Sequence, residues 1–226
     1  MTEIIRACVD LFETPPPTKV AERMALMKDE VWGPGYKLRV KFLEGDPAVQ
    51  EKVKKYAKQW MDHANINMVF VKSGDAEVRV SFRPGGSSSL VGRQALKTDK
   101  AQATMNYGWL TPDTADDEYQ RVVLHEFGHA LGCIHEHQHP AGGIHWNKEA
   151  VYKYYKVTNG WDPPKVDLNI FQTYTENLIK GTNKVDPKSI MMYPIPRQLT
   201  MDGFTVDWNR DLSPDDKKFI KTLYPF

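Results

Sequence analysis

His125-Glu126-Phe127-Gly128-His129-Ala130-Leu131-Gly132-Cys133-Ile134-His135 is the stretch around which the rest of the chain has to be arranged. Its pattern is H-E-x-x-H-x-x-G-x-x-H. On a helix, residues four apart share a face, so His125 and His129 can aim two imidazole nitrogens at one metal ion. Neutral imidazole suits zinc, and a catalytic zinc takes three protein ligands and keeps one position for water. Glu126, beside the first histidine, can reach that water without being a ligand. Gly132 can adopt positive φ, end the helix and turn the chain so that His135 arrives as the third ligand. A bare H-E-x-x-H also occurs on ordinary surface helices. The added Gly and third His make the longer string far more specific.

The same residues resemble the metzincin clan of zinc endopeptidases. That resemblance requires a second piece downstream, a tight turn with a methionine beneath the metal. Ser189-Ile190-Met191-Met192-Tyr193 supplies it, with Met191 in the Met-turn position. Tyr193, two residues later, and Glu136, directly after the third His, are similar to the astacin family in particular. The resemblance covers residues 30–226. It implies an α+β catalytic domain: a twisted, mostly parallel N-terminal sheet with an antiparallel edge strand, two long helices, and a smaller irregular C-terminal lobe ending in a helix. The expected organisation is an arm over residues 1–30, prosegment-like in position, and a protease domain over 31–226. The upper lobe should span about 31–135 and the lower lobe about 136–226.

Composition is consistent with that frame and excludes some classes of function. At 226 residues with 41% apolar and 26% charged content, the chain can bury a full core. A net charge of +1 with interspersed signs offers no field for nucleic acid. No apolar run has membrane-spanning length, and Met1-Thr2-Glu3-Ile4-Ile5-Arg6 lacks the plan of a signal peptide. Astacins are typically secreted, so compartment stays open. Two cysteines make no disulfide framework.

Thr14-Pro15-Pro16-Pro17-Thr18 is a stiff linker, and residues 20–31 have helical composition. Three readings of the arm are open: a segment lying on the surface, a latency device in which the Cys8 thiolate caps the zinc, or a Cys8–Cys133 bond. Leu38, Val40 and Phe42 alternate with Lys37, Arg39 and Lys41, the period of a strand. Asp46-Pro47 opens a helix whose inner face is Val49, Val53, Tyr56, Ala57 and Trp60. Strands follow at 68–71, 78–82 and 103–107. The Gly- and Ser-rich run 84–92 reads as a loop by composition, and by resemblance it leads into the edge strand that walls the cleft. A helix is expected over 147–157, and Ser213-Pro214 opens the last one.

The resemblance therefore implies a zinc endopeptidase. Zn2+ would be held by His125, His129 and His135, with Glu126 as general base and Tyr193 stabilising the oxyanion. Met191 would form a hydrophobic floor. A protein or peptide substrate would lie extended along the edge strand, to a monomer that binds neither nucleic acid nor membrane. Arg197, after the Met-turn, is the candidate for preferring an acidic side chain beyond the cleaved bond. His137, His139 and His145 are expected to be hydrogen-bonded or solvated rather than ligands. The alternative is a non-catalytic or latent metzincin-fold protein held inactive by its arm.

Overall fold

A computed structural model describes residues 8, 30–139, 142–173 and 185–226. The Pro-rich linker and most of the helix expected over 20–31 lie outside the described residues. Five strands form one sheet: β1 Tyr36–Phe42, β2 Ile66–Phe70, β3 Val78–Ser81, β4 Ser87–Ser89 and β5 Met105–Tyr107. Their order is β2-β1-β3-β5-β4. The pairs β1–β2, β1–β3 and β3–β5 are parallel and β4–β5 is antiparallel, as expected for this fold class. Leu38 and Val40 of β1 and Val78 and Val80 of β3 alternate with polar residues and are buried, so each strand turns an apolar row to the core.

Helix α1, Pro47–Ala57, starts as the sequence indicates, with Asp46 accepting a hydrogen bond from the Ala48 amide and Pro47 in the first turn. Helix α2, Asp116–Ala130, packs on α1 and the sheet through Val122, Val123, Phe127, Ala130 and Leu131. Asp116, Asp117 and Glu118 place negative charge at its N-terminus, where the helix dipole favours it, although no side chain caps it. Its C-terminus is held by aromatic donors from distant segments. The Trp32 indole N–H donates to the Ala130 carbonyl (2.8 Å) and the Tyr224 hydroxyl to the Leu131 carbonyl (2.7 Å), satisfying carbonyls that a helix end leaves open.

After the sheet and α2 come α3 Lys148–Asn159, α4 Pro163–Val166 and the C-terminal α5 Pro214–Leu223. Helix α3 is capped by Asn147 and ends at Gly160 (φ 67°). Helix α5 opens with a reciprocal capping box between Ser213 and Asp216. Small clusters around Tyr155, Trp161 and Ile170, and around Met192, Ile195 and Val206, replace a sheet as the organising core. Among the described residues, no helix is long and apolar enough to cross a membrane.

Candidate metal centre and active site

Helix α2 presents His125, Glu126 and His129 from its C-terminal half, all buried. The helix ends as the spacing predicts. Gly132 takes φ +94°, the Cys133 amide reaches back to the Gly128 carbonyl (2.9 Å), and the chain reverses to bring in His135. The three Nε2 atoms then form a triangle with every edge 3.2 Å. Three imidazole lone pairs at that spacing repel one another unless a cation sits among them. A tetrahedron with such an edge has its centre about 2.0 Å from each corner, which is the zinc–nitrogen bond length.

The outer ring nitrogens fix this arrangement. His125 Nδ1 lies 2.8 Å from the Ile190 carbonyl and His129 Nδ1 lies 2.9 Å from the Cys133 carbonyl. A carbonyl can only accept, so each Nδ1 must carry the proton and each Nε2 must point its lone pair inward. Burial, reinforced by the neighbouring imidazoles, pushes the pKa values of His125 and His135 well below the usual histidine range. Both rings are therefore neutral, the form that binds metal.

The Met-turn supports the triangle from below. Asp216, at the start of α5, accepts from the Ser189 hydroxyl (2.7 Å), the Ile190 amide (2.8 Å) and the Ser213 amide (2.9 Å). It thereby holds the turn whose Ile190 carbonyl orients His125. Met191 presses against α2 at Gly128: a methyl group added there would lie 2.4 Å from the Met191 sulfur. Tyr193 stands over the histidines, its ring 4.4 Å from that of His135 and 4.6 Å from that of His137.

Cys8 is the one described residue of the first 29, and it sits at this centre. Its sulfur and the three Nε2 atoms all lie within 4.8 Å of one another. The thiol donates to Glu126 Oε2 (3.2 Å), and the Cys8 carbonyl accepts a hydrogen bond from the Tyr193 hydroxyl. Cys8 and Cys133 are not disulfide-bonded. Burial pushes the Cys133 thiol far up, which leaves it inert.

Other expectations fare differently. His137 is buried, with Nε2 2.8 Å from the Asn169 carbonyl, and exposed His145 pairs with Asp202 (3.3 Å). Neither belongs to the metal-competent cluster, nor does His139. Glu136 accepts from the Asp186 amide (2.8 Å), and burial raises its carboxyl to about 7. Strand β4 occupies the end of the sheet, but Ser87, Ser88 and Ser89 are buried rather than exposed. Arg197 packs over Gly203, where an added Cβ would lie 3.1 Å from its guanidinium, and it does not line the cleft beside Glu126. The cationic residue that does is Arg121, one turn before His125. Arg121, Asp216 and Gly128 were not singled out by sequence reasoning. Only Asp216 carried a local signal, the Ser-x-x-Asp spacing of a capping box.

No family model matches this sequence, and no curated protein matches it. Among solved structures it is similar to two of myroilysin. One shares 44% identity over 88% of this chain and 98% of that chain, with a TM-score of 0.86. The other shares 41% identity over 98% and 92%, with a TM-score of 0.71. High choriolytic enzyme 1, a hatching-enzyme zinc protease from the medaka fish Oryzias latipes, is 16% identical over 87% and 95%, with a TM-score of 0.61, a likeness of fold alone.

Proposed function

Because the chain belongs to the astacin-like zinc metalloendopeptidases of the metzincin clan, we propose that His125, His129 and His135 hold its zinc and that Glu126 is the general base of peptide-bond hydrolysis. The observation that carries this assignment is the 3.2 Å triangle of buried imidazole nitrogens with Glu126 beside it. Zinc, when bound, polarises the scissile carbonyl and makes water acidic enough to attack near neutral pH. Glu126 is fully buried on a rigid helix, so its carboxylate meets the attacking water at a fixed position, takes one proton and passes it to the leaving amine. Tyr193 donates its phenolic hydrogen to the developing oxyanion. The hydrogen bond it gives the Cys8 carbonyl supports this role, since a peptide carbonyl is the kind of acceptor the role requires.

The substrate is a protein or peptide. We place it extended beside β4, pairing with the strand's backbone after the cleft opens, with the chain acting as a monomer. Casein hydrolysis by the zinc-loaded chain tests the assignment. Activity should vanish on chelation and in Glu126→Ala, while the Glu126→Ala chain keeps one zinc. Cleavage that survives the substitution would reject Glu126 as the base.

A second reading is favoured by the position of Cys8: the arm holds the protease latent. Cys8 supplies a fourth donor where water is needed, engages Glu126 and occupies Tyr193. All three parts of the machinery are blocked by one residue. Cys8→Ser or removal of the arm near Pro17 should raise activity with zinc content unchanged. Equal activity before and after would reject latency. A non-catalytic binding protein finds no support in the metalloprotease neighbours.

A further inference from the structure

The cleft beside Glu126 has a wall made of an unusual sequence of contacts. The Trp109 indole N–H donates to Glu118 Oε1 (2.9 Å), and Arg121 grips Glu118 with Nε and Nη2, both at 2.7 Å. The Arg121 guanidinium in turn lies 4.3 Å above the Trp208 ring. Trp109 follows β5 in the upper lobe and Trp208 belongs to the lower lobe, so the chain of contacts spans the cleft along one side of α2. Trp109, Arg121 and Trp208 all face the same space as His125, Glu126 and Tyr193. The remaining wall is apolar, from Val122, Met192 and Pro194.

We infer that the Glu118–Arg121 pair sets the charge specificity of this cleft, making it select an uncharged side chain next to the cleaved bond. The inference rests on the protease assignment above. Its physical basis is that Arg121 enters the cleft already neutralised. The Arg121 side chain is 10% exposed and that of Glu118 is 23%, so the pair is only partly screened by water. A substrate carboxylate brought to Arg121 would share one guanidinium with Glu118 and leave an excess negative charge in a half-buried place. A substrate ammonium would meet a carboxylate already committed to a bidentate fork and to the Trp109 indole. Neither charge is welcome. An apolar or aromatic side chain lies along Val122, Met192 and the indole faces, and a neutral acceptor at its tip can still use the guanidinium edge that Glu118 leaves open.

The pair is thus a latent charge switch, and removing either half should expose the other. Glu118→Gln leaves Arg121 unmatched and should turn the cleft toward Asp and Glu. Arg121→Gln leaves Glu118 unmatched and should turn it toward Lys and Arg. Charge complementarity of this kind changes selectivity by about tenfold or more.

The test uses full-length, zinc-loaded chains that all carry Cys8→Ser, so that any residual shielding by the arm is common to all of them. Dissociation constants are measured for three peptide hydroxamates that differ only in the side chain nearest the zinc-binding group: Asp, Leu and Lys. The reference chain should bind the Leu ligand best. Glu118→Gln should shift the Asp-to-Leu affinity ratio upward by about tenfold, and Arg121→Gln should shift the Lys-to-Leu ratio likewise. If Arg121→Gln loses zinc, Arg121→Met keeps the stem that stacks on Trp208 and carries the same expectation. Affinity ratios that stay the same across the variants would overturn the inference, as would a reference chain that prefers the Asp ligand. Casein hydrolysis by the same reference chain tests the protease assignment separately. Its absence, with hydroxamate ratios shifting as expected, would reject the catalytic roles and keep the wall.

Discussion

Gly128→Ala is the substitution in which helix propensity and packing disagree most sharply. Gly128 sits in the interior of α2 between His125 and His129, where Ala is preferred over Gly by about 1 kcal/mol. The added methyl group, however, would lie 2.4 Å from the Met191 sulfur and 3.3 Å from Trp60 Cζ2. Comfortable contact is about 3.5–4 Å, so Met191 must retreat by more than an ångström into a core where it is 3% exposed. Overpacking of this kind costs about 1–3 kcal/mol, which outweighs the helix gain. The expected net effect is a loss of up to about 2 kcal/mol. Zinc affinity should also drop, because the displaced methionine is flanked by Ile190, whose carbonyl orients His125. A double-mutant cycle with Met191→Ala separates the terms. With the sulfur gone, Gly128→Ala should become close to neutral or stabilising, giving a coupling of about 1–3 kcal/mol. Urea denaturation of the zinc-loaded chains and chelator competition are the assays. Stabilisation by Gly128→Ala in the wild-type background, with zinc affinity unchanged, would refute the claim that Met191 bears on the helix at this point.

Three further substitutions probe the surroundings. Asp216→Ala removes the acceptor for Ser189, Ile190 and Ser213, and should cost at least about 3 kcal/mol in denaturant unfolding and lower zinc affinity about 10–100-fold. Unchanged zinc affinity would detach the α5 cap from the metal centre. Tyr107→Phe should raise stability by about 1 kcal/mol, since the Tyr107 hydroxyl is fully buried without a hydrogen-bond partner among the described residues. A drop in melting temperature would reveal a bound water behind Glu126 instead. Glu136→Gln tests linkage in the metal-free chain. Burial keeps Glu136 protonated in the fold up to about 7, against 4.5 when unfolded, so the folded state binds more protons across that window and stability falls as pH rises through it. The contribution is on the order of 3 kcal/mol. The stability difference between Gln and wild type should grow in favour of Gln from pH 4.5 to 7, and a flat difference would rule the effect out.

What the sequence made legible was whatever depends on local spacing. The helical register of His125 and His129, the positive φ of Gly132, and the caps at Asp46 and Ser213 are each set by residues within one or two turns, and each appears where expected. The sheet was legible too, because the alternation of apolar and polar residues in β1 and β3 reflects which side chains face the core. The edge strand was legible only through resemblance. Ser87, Ser88 and Ser89 have no strand propensity, and β4 exists because β5 offers it a partner. The cleft wall was not legible at all. Glu118 and Arg121 form an ordinary i, i+3 pair by sequence, and nothing local says that Trp109 and Trp208, 99 positions apart, close on it from either side. Arg197 is legible as a position after the Met-turn, but only the fold places its guanidinium beside Gly203.

The way the histidines are held ties α2 to segments far along the chain. His129 is oriented by the Cys133 carbonyl, from the turn that ends α2, whereas His125 is oriented by the Ile190 carbonyl, from the Met-turn. That carbonyl is in place only because Asp216 anchors the turn to α5, and α5 is followed by Tyr224, whose hydroxyl closes the end of α2. The contacts form a ring: α2, His125, the Met-turn, α5, Tyr224 and back to α2. Because the Met-turn orients His125, zinc binding at the proposed ligand set should be coupled to the closure of that ring. Zinc removal should therefore speed amide hydrogen exchange in α5 and the Met-turn before it does so in β1 and β3, which carry none of the ring's hydrogen bonds, and protection lost everywhere at once would refute that order.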